Sequence, residues 1–202
     1  MKIALLIEGD TERAFLPHLR CFLKTRLAGR MPRLDPDIYD GRIPTSHHLR
    51  RRIDLLLRTG RPPADAVVAL TDVYTGTADF QDAQDAKRKM REWVGVNDRF
   101  FPHAAQHEFE AWLLPFWSTI QRLAGHNKAA PAGLPEAVNH NRPPSVRIRE
   151  IFSVGKCRRG YVKPRDAARI LRENNLVDAA TACPELRAFL NTILQLCDGP
   201  CL

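Results

Sequence analysis

The stretch KIALLIE, residues 2–8, is a continuous apolar run that ends on the carboxylate of Glu8 and is followed at once by Gly9. Its length and composition are typical of a strand that is buried on both faces of a sheet. A second run of the same kind, DAVVALTD at residues 65–72, ends on Asp72. Together these runs predict two central strands, each of which delivers an acid to its carboxyl end.

Further strand and helix signals alternate with these two runs. PDIYD at residues 36–40 and RFFPHAA at residues 99–105 are the other strand candidates. Apolar residues at helical spacing follow the first strand, continue from Ser46, and are weaker over residues 80–94. The alternation predicts an α/β fold, with a parallel four-stranded sheet covered by helices on both faces.

The pattern becomes helical after residue 106. EFEAWLLPFWSTIQRLA, residues 108–124, predicts one apolar helix that is kinked or split at Pro115, with its tryptophans in the core. We therefore expect an α/β domain over residues 1–105 and a helical extension over residues 106–202, which packs on the active edge to form one compact unit. Shorter helices are predicted near residues 145–152, 164–174 and 184–196.

The bulk composition is ordinary for a globular protein, except for its charge. The 202 residues are 44% hydrophobic and 27% charged, with a net charge of +8. No apolar stretch approaches the roughly 20 residues needed to span a bilayer, and the amino terminus does not resemble a signal peptide. Five cysteines form no CxxC pair, which favours reduced thiols and a cytoplasmic location.

Positive charge concentrates in two places. Residues 142–172 contain ten Lys or Arg residues but only two acids, and residues 47–52 read HHLRRR. Such segments are typical either of a nucleic-acid contact or of a solvated basic face, and composition weighs these two interpretations about equally.

The two strand-end acids are the best candidates for chemistry. Ligands of open parallel sheets bind beyond the carboxyl ends of the strands, so Glu8 and Asp72 converge if their strands are neighbours. Carboxylate oxygens suit Mg²⁺ or Mn²⁺ rather than zinc, and Gly9 permits a sharp turn and the approach of a phosphate. Asp10 and Glu12 are explained by the preference for acids in the first turn of a helix.

Other catalytic templates are absent from the sequence. It contains no GxxxxGK[ST] phosphate loop, no GxSxG elbow, and no GxGxxG after a strand. His107 lacks a second histidine at the HExxH spacing, which excludes a zincin.

IEGDTE at residues 7–12, followed about sixty residues later by ALTDVY, resembles the signature motifs of the Toprim domain. That fold occurs in topoisomerases, primases and overcoming-lysogenization-defect nucleases. More narrowly, the chain is similar to the Toprim-like family catalogued as domain of unknown function number 4276. The matching stretches are EGDTERAFL, TDVYTGTADF, QHEFEAWLL, PPSVRIREIF, GYVKPRDAARIL and CPELRAFL.

The resemblance implies a general acid or base at Glu8 and a Mg²⁺ ligand at Asp72. The second aspartate of the Toprim Asp-x-Asp motif is replaced by Tyr74, a poor Mg²⁺ ligand, so another acid is required. Glu108 and Glu110 are the preferred candidates. If both lie on one helix they diverge, and we expect only one, preferably Glu108, to face the site. Helix-start acids are the other candidates: Asp79, Asp82 and Asp85.

The resemblance gives the basic segment a role. Arg147, Arg149 and Lys163 are candidates for clamping phosphates, and Tyr161 for stacking or hydrogen bonding. Arg158 and Arg159 are equally well explained as a solvated face.

The expected function is a Toprim-type, Mg²⁺- or Mn²⁺-dependent phosphodiesterase or nuclease, in DNA repair or anti-phage defence. The expected substrate is nucleic acid, with DNA favoured over RNA but the choice between them left open by the sequence, and the resemblance implies an ATPase partner encoded nearby. The alternatives are a non-catalytic subunit that binds nucleic acid or the ATPase, and an enzyme or sensor for a small phosphorylated ligand.

Overall fold

The computed structural model describes residues 1–74, 78–138, 142–156 and 160–202. In these ranges four strands form one parallel sheet with the order β2-β1-β3-β4. The strands are β1 (Lys2–Glu8), β2 (Arg33–Tyr39), β3 (Ala66–Asp72) and β4 (Phe100–Ala105). The parallel four-stranded sheet flanked by helices is confirmed.

Strand β1 is buried along its whole length because helices cover both of its faces. Ile3, Leu5 and Ile7 belong to one hydrophobic cluster, whereas Ala4 and Leu6 belong to the other. This alternation reflects the two-residue periodicity of a strand whose sheet is covered by hydrophobic residues on both faces. β1 pairs with both β2 and β3, which brings Glu8 and Asp72 to the same edge.

The smaller cluster lies under two helices, α2 (Ser46–Arg58) and α3 (Ala83–Val94). Helix α3 begins at Ala83, three residues later than the predicted start at residue 80. Asp82 caps its amino terminus, because the Asp82 side chain accepts a hydrogen bond from the Asp85 N–H. Strand β2 starts earlier than predicted and contains Pro36, which an edge strand tolerates because one of its sides has no partner strand.

The larger cluster joins the sheet to the carboxyl-terminal helices. The apolar segment after β4 splits as predicted, into a 3₁₀ helix (Phe109–Phe116) that contains Pro115 and then α4 (Trp117–Ala124). The ring of Phe15 on the first helix lies 5.4 Å from the ring of Phe109 and 6.3 Å from Trp112. The domain boundary at residue 105 remains a prediction, although the core runs across it. The remaining α-helices of the described ranges are α1 (Gly9–Arg26), α5 (Pro144–Val154), α6 (Lys163–Arg172), α7 (Leu176–Ala182) and α8 (Pro184–Leu196).

No helix in the described ranges has the length and apolarity that a membrane crossing requires. The four cysteines within them are free thiols, at Cys21, Cys183, Cys197 and Cys201.

Candidate active site

Glu8 occupies the last position of β1 and is 6% exposed. Its carboxylate accepts hydrogen bonds from the Thr71 hydroxyl, from the Ile43 N–H at 3.3 Å and from the Asp72 N–H at 3.4 Å. Burial raises the pKa of Glu8, and the hydrogen bonds from Thr71 and Ile43 oppose that shift. The backbone of the neighbouring elements thus fixes the orientation of a buried carboxyl group.

Asp72 ends β3, beside Glu8. Its Oδ1 accepts a hydrogen bond of 2.9 Å from the N–H of Phe109, the first residue of the 3₁₀ helix. Burial raises the pKa of Asp72 well above its ordinary value, and the charges of Glu12 and Glu8 raise it further. The predicted convergence of the two strand-end acids is therefore present in the structure.

Glu12 is part of the same cluster, contrary to the interpretation that it serves only the helix dipole. It is 6% exposed and lies on the inward face of α1. Burial, reinforced by the charges of Glu8 and Glu110, raises the pKa of Glu12 to about 8. An acid that merely complemented a helix dipole would remain in water, so Glu12 belongs to the site.

Glu108 and Glu110 both face the site, contrary to the expectation that only one would. Glu108 precedes the 3₁₀ helix in an extended conformation, with φ −158° and ψ 165°, so the α-helical divergence of residues two apart does not apply. The Nζ atom of Lys163 lies 3.2 Å from Glu108 Oε2 and 3.1 Å from Glu110 Oε2. Glu108 Oε1 also accepts a hydrogen bond of 2.5 Å from the Ser145 N–H at the start of α5.

Lys163 is the first residue of α6 and carries positive charge into this acidic cluster. Burial lowers the pKa of Lys163, but the carboxylates of Glu110 and Glu108 outweigh burial and raise it above its ordinary value. Lys163 therefore stays protonated at neutral pH and offsets part of the negative charge.

Tyr161 supports Glu110. Its hydroxyl donates a hydrogen bond of 3.3 Å to Glu110 Oε1, and its ring centroid lies 5.6 Å from that of Phe152. Both contacts are made within the protein, with the ring packed against the core, and the predicted stacking or hydrogen bonding of Tyr161 with nucleic acid stays a prediction.

Gly9 follows Glu8 with a φ of +60°. A side chain is strained in this left-handed conformation, so the predicted sharp turn after β1 requires glycine here. The turn places the start of α1, and with it Glu12, directly after Glu8.

The helix-start acids lie outside the cluster. Asp79 pairs with Arg42 at 2.6 Å, Asp82 caps α3, and Asp85 pairs with Lys89 at 2.9 Å. Tyr74 is 44% exposed, and its ring centroid lies 5.4 Å from that of His107. Residues 75–77 of the same motif lie outside the described residues.

Most described cations of the basic segment are engaged within the protein. Arg142 pairs with Glu150, and Arg165 pairs with Asp166 at 2.7 Å. Arg147 donates a hydrogen bond of 3.3 Å to the carbonyl oxygen of Arg142, whereas Arg149 is exposed on α5. Arg158 and Arg159 lie outside the described residues.

Three site residues escaped the sequence prediction: Glu12, Thr71 and Arg42. Arg42 lies near enough to Glu8 to oppose the rise in the pKa of that carboxyl. A signal for Glu12 existed, because it precedes Phe15 and Leu16 by three and four residues and so continues their buried stripe. Nothing in the local sequence marks Thr71 or Arg42.

Five carboxyl groups thus meet at the carboxyl edge of the sheet, among the described residues. Their burial and mutual repulsion cost stability, and the Lys163 ammonium compensates only part of that cost. Within the described ranges, no three acidic, histidine or cysteine side chains stand close enough together to hold a metal ion. The members of this acidic cluster are Glu8, Glu12, Asp72, Glu108 and Glu110.

Comparison with solved structures supports the fold. The chain is similar to the C-terminal region of the Burkholderia pseudomallei OLD protein, at 17% identity and a TM-score of 0.55, over 97% of this chain and 98% of that one. It also matches the C-terminal region of the Xanthomonas campestris pv. campestris OLD protein, at 14% identity and a TM-score of 0.38, over 96% and 93%. The second score is too low to indicate a shared fold by itself. The chain has the Toprim-like α/β fold that its motifs imply.

No curated protein sequence matches the chain. A family model does, and it covers residues 7–194, which include every member of the acidic cluster. The chain belongs to the family described as domain of unknown function (DUF4276).

Proposed function

We propose that the protein is a metal-dependent phosphodiesterase that cleaves nucleic acid at the acidic cluster. The observation that carries this proposal is the convergence of four buried carboxyl groups, the half-buried carboxyl group of Asp72 and one lysine at the carboxyl edge of a parallel sheet. A fold gains nothing in stability by grouping five acids around one ammonium group, because burial and repulsion both disfavour their charged forms. Such a cluster is therefore a sign of function.

The chemistry of the donor set suits a hard divalent cation, although an ion would have to draw together carboxylates that do not form a three-ligand group in the described ranges. The cluster supplies only carboxylate oxygens, which Mg²⁺ and Mn²⁺ prefer, and the repulsion that raises the pKa of Asp72 would be relieved by a positive ion. Asp72, Glu108 and Glu110 would hold the ion, after exchanging the hydrogen bonds that they make at present. When bound, such an ion stabilises charge on a phosphate and lowers the pKa of a coordinated water.

Glu8 is the proposed acid or base. Its raised pKa, caused chiefly by burial, brings the carboxyl group closer to the neutral pH at which proton transfer is most effective. The N–H groups of Ile43 and Asp72 hold its two oxygens in a fixed orientation. Glu8 would take a proton from the attacking water or return one to the leaving oxygen.

Lys163 and Gly9 are proposed to serve the phosphate. A protonated amine beside the scissile group stabilises the charge that develops on its oxygens, and the absence of a side chain at Gly9 leaves room for a backbone contact. Arg147, Arg149 and Tyr161 remain proposed contacts of the nucleic acid. The case for Arg147 and Tyr161 is weaker, because both already form hydrogen bonds within the protein.

One observation favours a second candidate, a non-catalytic subunit that binds nucleic acid. Tyr74 stands where Toprim enzymes carry their second aspartate, and it is 44% exposed. A site that lost this ligand could keep the fold and its charged edge without the chemistry. The sequence contains no phosphate loop for ATP. Under either candidate function, we therefore propose that a separate ATPase supplies any ATP-driven step.

Incubation with labelled DNA and RNA tests the proposal. We expect cleavage with Mg²⁺ or Mn²⁺ and none with a chelator. The Asp72→Asn variant, which keeps the shape of the side chain, should lose cleavage while remaining folded. If the wild-type protein cuts neither polymer, alone or with an ATPase encoded beside it, the phosphodiesterase proposal fails and the binding subunit replaces it.

A further inference from the structure

The amino-terminal half of α2 presents a compact basic surface. The helix buries Leu49, Ile53 and Leu57 and turns its polar residues outward. Four basic residues on its first two turns are exposed. Their side chains form no ion pair and no hydrogen bond with any residue that the structure describes. We call these residues the α2 basic patch: His47, His48, Arg50 and Arg51.

The patch lies beside the acidic cluster. The Ile43 N–H donates a hydrogen bond to Glu8, and α2 begins at Ser46, three positions after Ile43. Three residues span at most about 11 Å, and a helix advances about 1.5 Å per residue. The backbone of the patch is therefore within about 22 Å of the Glu8 carboxylate. At a rise of about 3.4 Å per nucleotide of one strand, that distance corresponds to roughly six nucleotides.

The patch differs from the basic segment 142–172, whose charge looked larger in the sequence. Lys163 is held by Glu108 and Glu110, while Arg165 and Arg169 both pair with Asp166. Cations neutralised in this way attract an external polyanion weakly. Three exposed cations in the described part of that segment, Arg149, Lys156 and Arg172, lie outside these pairs, but they are spread over 24 positions. Arg50 and Arg51 are instead adjacent on one helix, so they form the more compact basic surface.

An acidic active site needs such a surface if its substrate is a polyanion. The cluster repels phosphates, so binding energy must come from cations placed outside it. The patch supplies them close to Glu8, and it ends after two turns, where Asp54 lies 3.9 Å from Arg58.

We propose that the α2 basic patch binds the phosphodiester backbone of the nucleic acid and leads it to the acidic cluster. This inference rests on the proposed function for its substrate class. It assigns the attraction to phosphates rather than to bases, so it applies to DNA and RNA alike and predicts little sequence preference.

The test compares two double charge reversals in the full chain. Arg50→Glu with Arg51→Glu alters the patch. Arg30→Glu with Arg33→Glu is the matched control, because these exposed arginines lie in the turn before β2 and at the start of β2, at the opposite edge of the sheet. Thermal unfolding should show that both variants are folded.

Binding to labelled single-stranded and duplex DNA, and to RNA, is measured by fluorescence anisotropy in chelator across a salt series. For the patch variant we expect affinity to fall by about tenfold or more, and the slope of log K against log salt to shrink by about 1.4–1.8, the equivalent of two phosphate contacts. The control should stay within about twofold of wild type. Equal losses in both variants, or no loss in the patch variant, would overturn the inference.

The chelator separates this inference from the proposed function. Patch-dependent binding without cleavage on addition of Mn²⁺ would support the patch and count against the phosphodiesterase. If the patch variant cleaves at the wild-type rate and binds with wild-type affinity, the phosphodiesterase proposal is supported and the proposed role of the patch is contradicted. A wild-type protein that binds none of the polymers at low salt would overturn the patch outright.

Discussion

The Nζ atom of Lys163, the first residue of α6, lies 3.1 Å from Oε2 of Glu110, a side chain that is 1% exposed. These residues are 53 positions apart, and their pairing ties α6 to the 3₁₀ helix that follows the sheet. The ion pair connects the carboxyl-terminal helices to the acidic cluster, so its removal should affect both the fold and the site.

Replacement of Lys163 by Met should destabilise the protein by about 1–3 kcal/mol. The loss is smaller than the ~3–5 kcal/mol typical of a fully buried pair, because Lys163 is 39% exposed and therefore partly screened by water. Adding Glu110→Gln to this variant should restore part of the stability, since the uncompensated charge is then gone. Denaturant unfolding measures both effects. Lys156→Met, at an exposed lysine, is the control, and equal stability of the two single variants would contradict the prediction.

The stability of the protein should fall between mildly acidic and mildly basic pH because of Glu12. Its folded-state pKa of about 8 lies above the ordinary 4.5, so the folded protein binds a proton in this range that the unfolded chain releases. The contribution is complete below about pH 4.5 and is lost as the pH rises to about 8.

Glu12→Gln should remove this dependence. The variant should unfold at a higher temperature than wild type near pH 8, and the difference should shrink towards pH 5. Melting temperatures across this range, with exposed Glu92→Gln as the control, provide the measurement. A difference that is constant with pH would show that Glu12 titrates normally.

Mn²⁺ should raise the melting temperature of the wild-type protein. An ion that binds only the folded state stabilises it by RT ln(1 + [L]/Kd), which is about 2.7 kcal/mol at a hundred times Kd. Asp72→Asn should abolish this increase. Glu136→Gln should preserve it, because Glu136 accepts its hydrogen bonds from Trp112 and the start of α8, outside the acidic cluster. An unchanged wild-type melting curve at millimolar Mn²⁺ would contradict metal binding at the acidic cluster.

Much of the fold could be predicted because its central strands are dictated by local patterns. KIALLIE and DAVVALTD are apolar runs of strand length that end on acids, and both became buried parallel strands at the expected bounds within one residue. Helix α7 (Leu176–Ala182) was missed because seven residues are too few to establish a helical period. The early start of β2 was missed because Pro36 weakened the strand signal in a place where an edge strand accepts it.

Only those site residues whose positions follow from the topology of the sheet could be predicted from the sequence. Glu8 and Asp72 follow from strand ends and parallel topology alone. The joint approach of Glu108 and Glu110 did not follow, because it depends on an extended residue followed by a 3₁₀ turn rather than an α-helix. The place of Lys163 depends on how α6 docks more than fifty residues further along the chain, which no local pattern encodes.

The central claim is that the acidic cluster performs phosphodiester chemistry with Glu8 as its proton carrier, and the cleavage rate of Glu8→Gln tests it most directly. Gln keeps the size and hydrogen-bonding capacity of the side chain but cannot exchange the proton. We expect a folded Glu8→Gln variant with wild-type affinity for nucleic acid, whose metal-dependent cleavage is about 10²–10⁴-fold slower than that of the wild type, while Glu136→Gln cleaves normally. Cleavage by Glu8→Gln at the wild-type rate would contradict the account.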